Sequence, residues 1–425
     1  MELRGHNVNS ARRVLVASMI GTTIEFFDFY IYSTAAVLVF PKLFFPGADP
    51  ATATLQSLAT FALAFFARPV GALLFGHFGD RIGRKATLVA ALMTMGPSTV
   101  AIGLLPGYHS IGIAAPILLA VFRFGQGLGL GGEWGGAVLL ATENAPANKR
   151  ARYGMFPQLG APAGFILSSG TFLVLSKTMS DNSFADWGWR IPFIASAVLV
   201  WVGMYVRLRL TETPDFLRAM EKEQRVSIPM KTVFSRYTPT VILSTLIALT
   251  TFLLFYLMTV FALSWGTSAL HYDRSGFLTA QMVGVLFFAI GIPLSASLAD
   301  RFGRNNILIL ATAGIFLFGL FFQVLFRSGD WTLTVIFLVL GLFLMGLTYG
   351  PLGTALAEIF PTPVRYTGAS VSFTLAGILG ASLAPYLATS IATSHGLAYV
   401  GYYLCAAAII TLLALLIARG RMKEQ

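Results

Sequence analysis

Long apolar runs separated by short charged segments make up most of the chain. Twelve of them reach the length of about 20 mostly apolar residues that a helix needs to cross a bilayer. They lie at roughly 13–40, 54–78, 86–106, 114–141, 154–177, 190–208, 239–265, 276–298, 306–327, 333–357, 366–392 and 397–418. Lipid offers backbone groups no hydrogen-bonding partner, so spanning segments are helices or strands of closed barrels, and these runs are too long for barrel strands. The pattern therefore predicts an all-α membrane protein with twelve transmembrane helices.

The basic residues are distributed unevenly among the loops. With the N-terminus placed in the cytoplasm, twenty-two of the 29 lysines and arginines fall on the cytoplasmic side, five on the outer side and two within spans. Because Lys and Arg are enriched in cytoplasmic loops, this bias predicts that both termini are cytoplasmic. The apolar run after Arg12 and Arg13 is too long for the core of a signal peptide, so it is interpreted as a retained first span.

The chain repeats itself around a hydrophilic segment at 212–237. The sequence GDRIGR at 79–84 returns as ADRFGR at 299–304, and each copy follows the second span of its half. A second match joins Glu143 to Gly154 with Glu358 to Gly368. The repeats predict two six-helix bundles, 1–211 and 238–425, joined by a cytoplasmic linker. In parallel repeats of this kind, the substrate site is expected near the midplane between the halves.

Composition agrees with a membrane protein and excludes several other classes. The chain is 56% hydrophobic and 11% charged, whereas soluble domains carry about 25% charged residues. The net charge of +11 follows from the topology, so no nucleic-acid partner is expected. The single cysteine, Cys405, excludes an intrachain disulfide framework. The histidines show no metal-ligand spacing, and no nucleophile-base pair or phosphate loop is visible, so neither an enzyme nor a cofactor is expected.

Six short motifs carry a family resemblance. They are GHFGDRIGRK at 76–85, EFFDFY at 25–30, ARPVG at 67–71, RFGQG at 123–127, GGEWGG at 131–136 and WGWRIPF at 187–193. With these motifs in order along nearly its whole length, the chain resembles the metabolite:proton symporter family of the major facilitator superfamily. That family includes shikimate, α-ketoglutarate, citrate and proline/betaine permeases. The resemblance implies a monomeric transporter in a bacterial-type inner membrane. It would take up a small organic acid or zwitterion with protons, and the proton gradient would be its energy source.

Charged residues within spans are costly and usually functional. Glu25 and Asp28 are three residues apart and so share one face of span one. Span four carries a polar stripe that includes Arg123 and Glu133. Asp28 and Arg123 lie at similar depths, so Asp28 is expected to be the counter-charge of Arg123 in the empty protein. The two readings are a proton-coupling network and a permanent set of ion pairs that only holds the helices together.

On the functional reading, the acids carry the proton and the arginines bind a substrate carboxylate. The proton-coupling candidates are Asp28, Glu25 and Glu133. The substrate-binding candidates are Arg123, Arg68, Gln126, Gln158, Tyr256 and Gln281. Thr250, Thr251, Thr259, Tyr349 and Tyr366 are also polar enough to line a cavity. Any one of these uncharged residues could instead be structural. Apart from Glu358 at a cytoplasmic end, the spans of the second half contain no acid, so coupling is expected in the first half.

The duplicated loops have two readings as well. They could be basic turns that only set the topology, or they could form a cytoplasmic latch. In the latch, Asp80 would bond to the N-terminus of a facing helix, and Glu143 and Glu358 would pair with Arg84 and Arg304. The latch candidates are Asp80, Arg81, Arg84, Glu143, Asp300, Arg301, Arg304 and Glu358.

Glycines in span four imitate a nucleotide-binding motif. GLGLGG at 127–132 satisfies the dinucleotide pattern, but that pattern requires a preceding strand, and here it lies within a span. The glycines instead predict a smooth helix surface that lets neighbouring helices approach closely. Three functions remain: proton-coupled symport, proton-coupled antiport or export of a metabolite or drug, and a membrane-embedded enzyme. The last would need a metal or nucleophile cluster that is not visible.

Overall fold

The structure is a computed structural model that describes residues 11–82, 84–131, 133–143, 145–208, 229–327, 329–360 and 364–423. Within these ranges the side chains of 11–14, 76–82, 84–88, 140, 143, 147, 207, 229–230, 365–366 and 420–423 are not described. The latch candidates Asp80, Arg81, Arg84 and Glu143 therefore lie outside the described side chains. Most of the predicted linker also lies outside the described residues, and the helix Pro229–Arg236 forms its end.

Each of the twelve predicted spans corresponds to helix in the structure. The spans are Ala11–Leu38, Pro50–Ile82, Arg84–Leu104, Ala114–Leu130 with Trp134–Glu143, Arg150–Thr178, Ile191–Leu208, Thr238–Tyr256 continuing to Ser268, Arg274–Phe302, Arg304–Leu320, Trp331–Glu358, Arg365–Gly377 continuing to His395, and Leu397–Lys423. Short helices in the connections are Phe40–Phe44, Tyr108–Ile111, Ala147–Lys149, Asp181–Asp186, Gly188–Arg190 and Phe322–Leu325. The end of the bundle at which span one begins is called the inner end below.

The described helices have the length and composition of membrane spans. Nine of them are long and apolar enough to cross a membrane, and two shorter apolar helices belong to spans three and nine. Span one is a helix of 28 residues that carries Glu25 and Asp28. Large apolar side chains such as Trp201 and Leu310 are 70% and 72% exposed on the outside of the bundle, as lipid-facing positions require.

The same helix pairs recur in both halves. Span one packs on span five, two on four and three on six, and the pairs seven with eleven, eight with ten and nine with twelve repeat this arrangement. The halves meet along two seams, where span five contacts spans eight and ten and span two contacts span eleven. A site shared by the halves must therefore lie between these two seams.

Glycines allow spans two and four to touch through their backbones. A Cβ atom added at Gly71 would lie 2.0 Å from the carbonyl oxygen of Leu128, and one added at Gly131 would lie 2.0 Å from that of Arg68. A Cβ at Gly127 would lie 2.3 Å from the carbonyl oxygen of Ala64. The predicted close packing along the glycines of span four is therefore confirmed, and these contacts hold Arg68 against span four.

Spans seven and eleven are each interrupted by a π-helical turn, Leu257–Phe261 and Ile378–Ser382. A π turn shifts the i→i−4 hydrogen-bond pattern and often marks a functional position. In span seven, Nε2 of Gln281 donates to the carbonyl oxygens of Met258 at 3.0 Å and Thr259 at 2.7 Å. Gln281 of span eight thus holds the π turn of span seven in place.

The glycine contact predicts a large difference between two alanine substitutions. Gly127→Ala should destabilise the protein by about 1–3 kcal/mol, because the added methyl group must push the backbones of spans two and four apart. Gly170→Ala is the matched control, since its Cβ atom would meet only the end of the Met282 side chain at 3.6 Å. Thermal unfolding of the purified protein in detergent measures both, and equal melting temperatures would contradict the packing account.

Candidate functional site

A cavity lies between the two halves near the middle of the bundle. The space in it that atoms do not occupy, including the part open to solvent, is about 430 Å³. The first half contributes Glu25, Phe26, Tyr30, Arg68 and Ala161, and the second half contributes Thr251, Phe252, Phe255, Tyr256, Met345, Tyr349 and Phe373. A mostly apolar cavity with a few convergent polar groups is the usual form of a small-molecule site. Of the predicted site residues, Glu25, Arg68 and Tyr256 line it, and so do Thr251 and Tyr349, which were expected to be polar enough to line a cavity.

Glu25 and Arg68 are the two charged residues of the cavity lining, and both come from the first half. They are buried, with 5% and 7% of their surfaces exposed. The guanidinium carbon of Arg68 lies 4.7 Å from the ring centroid of Phe29 and 4.9 Å from that of Phe65. The guanidinium group lies over both rings, which stabilise it by cation–π attraction. An anionic ligand in the cavity would therefore meet a fixed positive charge.

Three tyrosines, Tyr30, Tyr256 and Tyr349, add polar groups to the cavity wall. Their hydroxyl groups make no hydrogen bond to any described residue, although the hydroxyl groups of Tyr32 and Tyr272 do. These hydroxyl groups give the cavity wall hydrogen-bond donors and acceptors for a polar ligand. Tyr30 was not among the predicted residues. Its position in the EFFDFY motif, five residues after Glu25, could have indicated it.

An inner layer of contacts closes the cavity on the side of the inner ends. The rings of Trp134 and Phe373 stack at 3.6 Å with an angle of 9° between their planes. Nε1 of Trp134 donates to Oε1 of Gln158 at 3.2 Å, and Nε2 of Gln158 donates to the carbonyl oxygen of Tyr349 at 3.0 Å. The Trp134–Phe373 stack and the hydrogen bond from Gln158 to Tyr349 join the first half to the second. Gln158 therefore bridges the halves and does not line the cavity, which differs from its predicted role.

An outer layer of aromatic rings closes the opposite side. Tyr256 of span seven packs against three rings of the first half, with centroids 6.2 Å from Phe29, 5.7 Å from Phe61 and 5.4 Å from Phe65. Tyr30 likewise packs on Phe255 at 5.5 Å. The cavity therefore lies between two layers of contact, and each layer contains residues of both halves.

Asp28 belongs to a separate polar chain within the first half. Its carboxylate accepts hydrogen bonds from Oγ of Ser196 at 2.5 Å and from Oγ1 of Thr99 at 3.2 Å. Oγ1 of Thr99 accepts from Nε2 of Gln126 at 2.8 Å, and Oε1 of Gln126 accepts from Nη1 of Arg123 at 3.0 Å. The expected direct ion pair of Asp28 with Arg123 is therefore wrong. Gln126 and Thr99 lie between the two charges.

Arg123 is held by aromatic rings and a backbone oxygen. Its guanidinium carbon lies 3.9 Å from the ring centroid of Tyr32 and 4.4 Å from that of Phe29, and Nε donates to the carbonyl oxygen of Phe61 at 3.4 Å. Arg123 is fully buried and does not line the cavity. The same is true of its neighbour Gln126, so the geometry gives no support to a direct substrate contact by either residue.

Two further predicted residues also lie outside the cavity lining. Gln281 uses its amide nitrogen on the π turn of span seven. Glu133 is buried in the break between the two helices of span four. Trp134 and Phe373 were not predicted. The sequence signal for Trp134 was its position between two pairs of glycines, which leave space between helices for a large side chain.

The inner ends of spans five and eight are joined by a carboxylate. Asp300 accepts hydrogen bonds from the backbone nitrogens of Ala151 at 3.0 Å and Arg152 at 3.1 Å, at the start of span five. The predicted pairing of Arg304 with Glu358 is confirmed, since Nη1 of Arg304 donates to Oε2 of Glu358. Arg301 is exposed. The second-half copy of the latch motif therefore contacts the N-terminus of a facing helix, as was predicted for Asp80 in the first half.

The second latch acid also reaches across the halves. Oε1 of Glu358 lies 3.6 Å from Nη1 of Arg150. Nearby, the small side chain of Ala151 packs against those of Ala296 and Ala299. The inner ends of the two halves are thus joined by hydrogen bonds, an ion pair and close packing. Among the described residues, no group of three or more His, Cys, Asp or Glu side chains could hold a metal ion.

Comparisons with known proteins agree with this architecture. The family model described as Sugar (and other) transporter matches residues 13–227 and 218–419. An inner membrane metabolite transport protein of Escherichia coli K12, YhjE, is 58% identical over 415 residues, which cover 96% of this chain and 94% of the relative. The shikimate transporter of the same organism is 34% identical over 98% of this chain and 96% of its own length. The proline/betaine transporter of Escherichia coli K12 is 32% identical over 95% of this chain and 82% of its own length.

Among solved structures, the major facilitator superfamily proton:xylose symporter XylE bound to 6-bromo-6-deoxy-D-glucose has the same fold. The TM-score is 0.75 at 15% identity, and the match covers 97% of this chain and 95% of that chain. A partially occluded inward-open form of XylE from Escherichia coli matches with a TM-score of 0.72. On the family match and the full-length relatives, the chain belongs to the Sugar (and other) transporter family of the major facilitator superfamily.

Proposed function

We propose that this protein is a proton-coupled symporter that takes up a small organic acid or zwitterion by alternating access. It would work as a monomer in a bacterial inner membrane, with both termini in the cytoplasm and no cofactor beyond the proton gradient. The observation that carries the proposal is the cavity between the halves, which contains one acid and one arginine and is bounded by contacts on both sides. The names of the relatives, which include metabolite, shikimate and proline/betaine transporters, agree with this substrate range.

The two layers around the cavity supply the alternating access. Opening of the outer layer, Tyr256 against Phe29, Phe61 and Phe65, would admit substrate from outside. Opening of the inner layer, Trp134 on Phe373 with the Gln158 bridge, would release it inside. Because the layers lie on opposite sides of the cavity, a rocking motion of one half against the other opens one layer while the other stays closed.

The residues have separate roles in this scheme. Arg68 binds the anionic group of the substrate, because it is the arginine that lines the cavity. Glu25 and Asp28 carry protons. Hydrogen bonds through Thr99 and Gln126 connect Asp28 to Arg123. Protonating Asp28 removes the negative charge that Ser196 and Thr99 now stabilise, so the polar chain must rearrange when the proton moves.

Loss of the Asp28 carboxylate should separate proton coupling from transport. Asp28→Asn keeps the shape but cannot exchange a proton. We expect the substrate accumulation driven by an imposed pH gradient to fall at least about tenfold, which corresponds to about 1.4 kcal/mol of coupling free energy. Exchange of substrate without a gradient should continue. Uptake of radiolabelled shikimate or glycine betaine into proteoliposomes measures both activities.

Asp186→Asn is the matched control for this experiment, because Asp186 is exposed in a connecting helix. Full accumulation by Asp28→Asn would remove Asp28 from the coupling role. Proton-driven loss of substrate from loaded vesicles, in place of uptake, would support export over symport.

Loss of the Asp300 carboxylate should open the inner ends. Asp300→Asn weakens two charge-assisted hydrogen bonds to the start of span five, each of which also gains from the positive end of the helix. A loss of about 1–2 kcal/mol corresponds to about a five- to thirtyfold change in population. Ala296→Cys in a Cys405→Ala background reports the change, because Ala296 is fully buried in this contact.

The matched control is Asp330→Asn, the same substitution at the start of span ten, where Asp330 accepts from the backbone nitrogen of Leu333. We expect faster thiol labelling of position 296 for the Asp300 variant and no change for the Asp330 variant. Equal labelling rates in all three proteins would show that Asp300 does not stabilise the closed inner side.

A further inference from the structure

Span five reaches the cavity through one small side chain. Of the twelve lining residues, Ala161 is the one that comes from span five, and its side chain, a methyl group, is the smallest in the lining. Seven of the other lining residues are aromatic. The layer of side chains that lines the cavity is therefore thinnest at Ala161.

The neighbours of Ala161 on the same helix face are long and fixed in place. Gln158 lies about one turn before it and Phe165 about one turn after it, so all three share a face of span five. Nε2 of Gln158 donates to the carbonyl oxygen of Tyr349 at 3.0 Å, and the ring centroid of Phe165 lies 5.2 Å from that of Tyr30. Ala161 thus leaves a notch in this face, closed by Gln158 on the inner side and by Phe165 on the outer side.

Span five cannot shift towards span one to make room for a larger side chain. A Cβ atom added at Gly160 would lie 2.1 Å from Oγ1 of Thr22, and one added at Gly164 would lie 2.8 Å from the backbone nitrogen of Phe27. Oγ1 of Thr22 also donates to the carbonyl oxygen of Pro157 at 2.9 Å, so the two helices are hydrogen-bonded as well as packed. A larger side chain at the notch must therefore extend into the cavity.

The second half faces the notch with a flexible side chain. Spans five and ten run side by side in opposite directions: a Cβ atom added at Gly154 would lie 2.5 Å from Oγ1 of Thr354, and one turn further along Gln158 bonds to Tyr349. Another turn along this contact comes Met345, which also lines the cavity. A methionine side chain is unbranched and adapts to irregular space. The wall of the notch that the second half forms is therefore the adaptable one.

From this geometry we propose that Ala161 determines how large a substrate the cavity accepts. The proposal rests on the proposed function, in which the cavity is the substrate site and Arg68 binds the anionic group. Arg68 belongs to span two and the notch to span five, so the two contacts come from separate helices of the first half. The part of the substrate that Arg68 does not bind occupies the notch, and the side chain at position 161 limits its size.

A steric limit of this kind has a specific consequence. One methylene group more or less in a closely fitting pocket discriminates between substrates by about 10- to 200-fold, and it does so only for ligands that fill the space concerned. A side chain that only holds two helices together acts differently, because enlarging it weakens the fold and lowers the affinity for every ligand. The rank order of ligands by size therefore separates a substrate notch from a packing position.

Calorimetry of the purified protein with carboxylates of increasing body size tests the proposal. The probes are propanoate, cyclohexanecarboxylate and adamantane-1-carboxylate, which share one head group. We expect Ala161→Leu to lower the affinity for the largest probe that the parent protein binds by at least about tenfold, and Ala161→Val to lie between the two proteins. The affinity for propanoate should not change, because propanoate leaves the notch empty.

Chemical filling of the notch repeats the test in a protein that is already folded. Ala161→Cys in a Cys405→Ala background gains a methylthio group on treatment with methyl methanethiosulfonate. We expect the modified protein to lose affinity for the largest probe, as the leucine variant does. Ala197→Leu is the matched control, because Ala197 is exposed on span six, and this variant should keep the parent affinity for every probe.

The contrary outcomes separate this proposal from the proposed function. The role of Ala161 would be overturned by an equal loss of affinity for all probes, by no loss in either the leucine or the methylthio protein, or by no modification of the introduced thiol. It would also be overturned if the parent bound none of the probes, or propanoate alone. Accumulation of shikimate or glycine betaine driven by a pH gradient would then leave the symporter proposal standing. A size ranking that follows position 161 without any gradient-driven uptake would overturn the symporter proposal alone.

Discussion

The burial of charge in one half of the molecule is the constraint on which the rest of the structure depends. Lipid and tightly packed helices offer little stabilisation for an ion, so each charged side chain must find its own partners. Arg123 finds a carbonyl oxygen, an amide oxygen and three aromatic rings. Asp28 finds two hydroxyl groups. The charges of Arg123 and Asp28 are therefore stabilised by contacts within the first half.

The second half supplies a different kind of surface to the cavity. Its contribution is aromatic and aliphatic apart from the hydroxyls of Thr251, Tyr256 and Tyr349, and its spans seven and eleven are interrupted by π turns beside the contact with the first half. The two charged residues of the cavity lining therefore come from one half, and the mostly apolar surface that faces them comes from the other.

The sequence predicted the number, order and approximate bounds of the spans, because a bilayer requires long apolar helices and leaves few alternatives. It also predicted the close packing of span four, because glycines have no side chain that would keep neighbouring helix backbones apart. The breaks in spans seven and eleven were not predicted. The turn in span seven depends on Gln281 of another helix, and no local pattern in Thr238–Tyr256 or the residues after it specifies that contact.

The site residues were predicted less completely for a related reason. Helical periodicity places Arg123, Gln126 and Glu133 on one face, but it does not say how far a long side chain reaches or which partner it selects. Gln126 fits between Arg123 and Thr99, so the guanidinium never reaches Asp28, although the two residues lie at similar depth. Arg68 has the same length and charge, yet the glycine contacts of spans two and four direct it to the cavity. Which arginine lines the cavity is therefore decided by helix packing, and a sequence pattern alone leaves that choice between the two open.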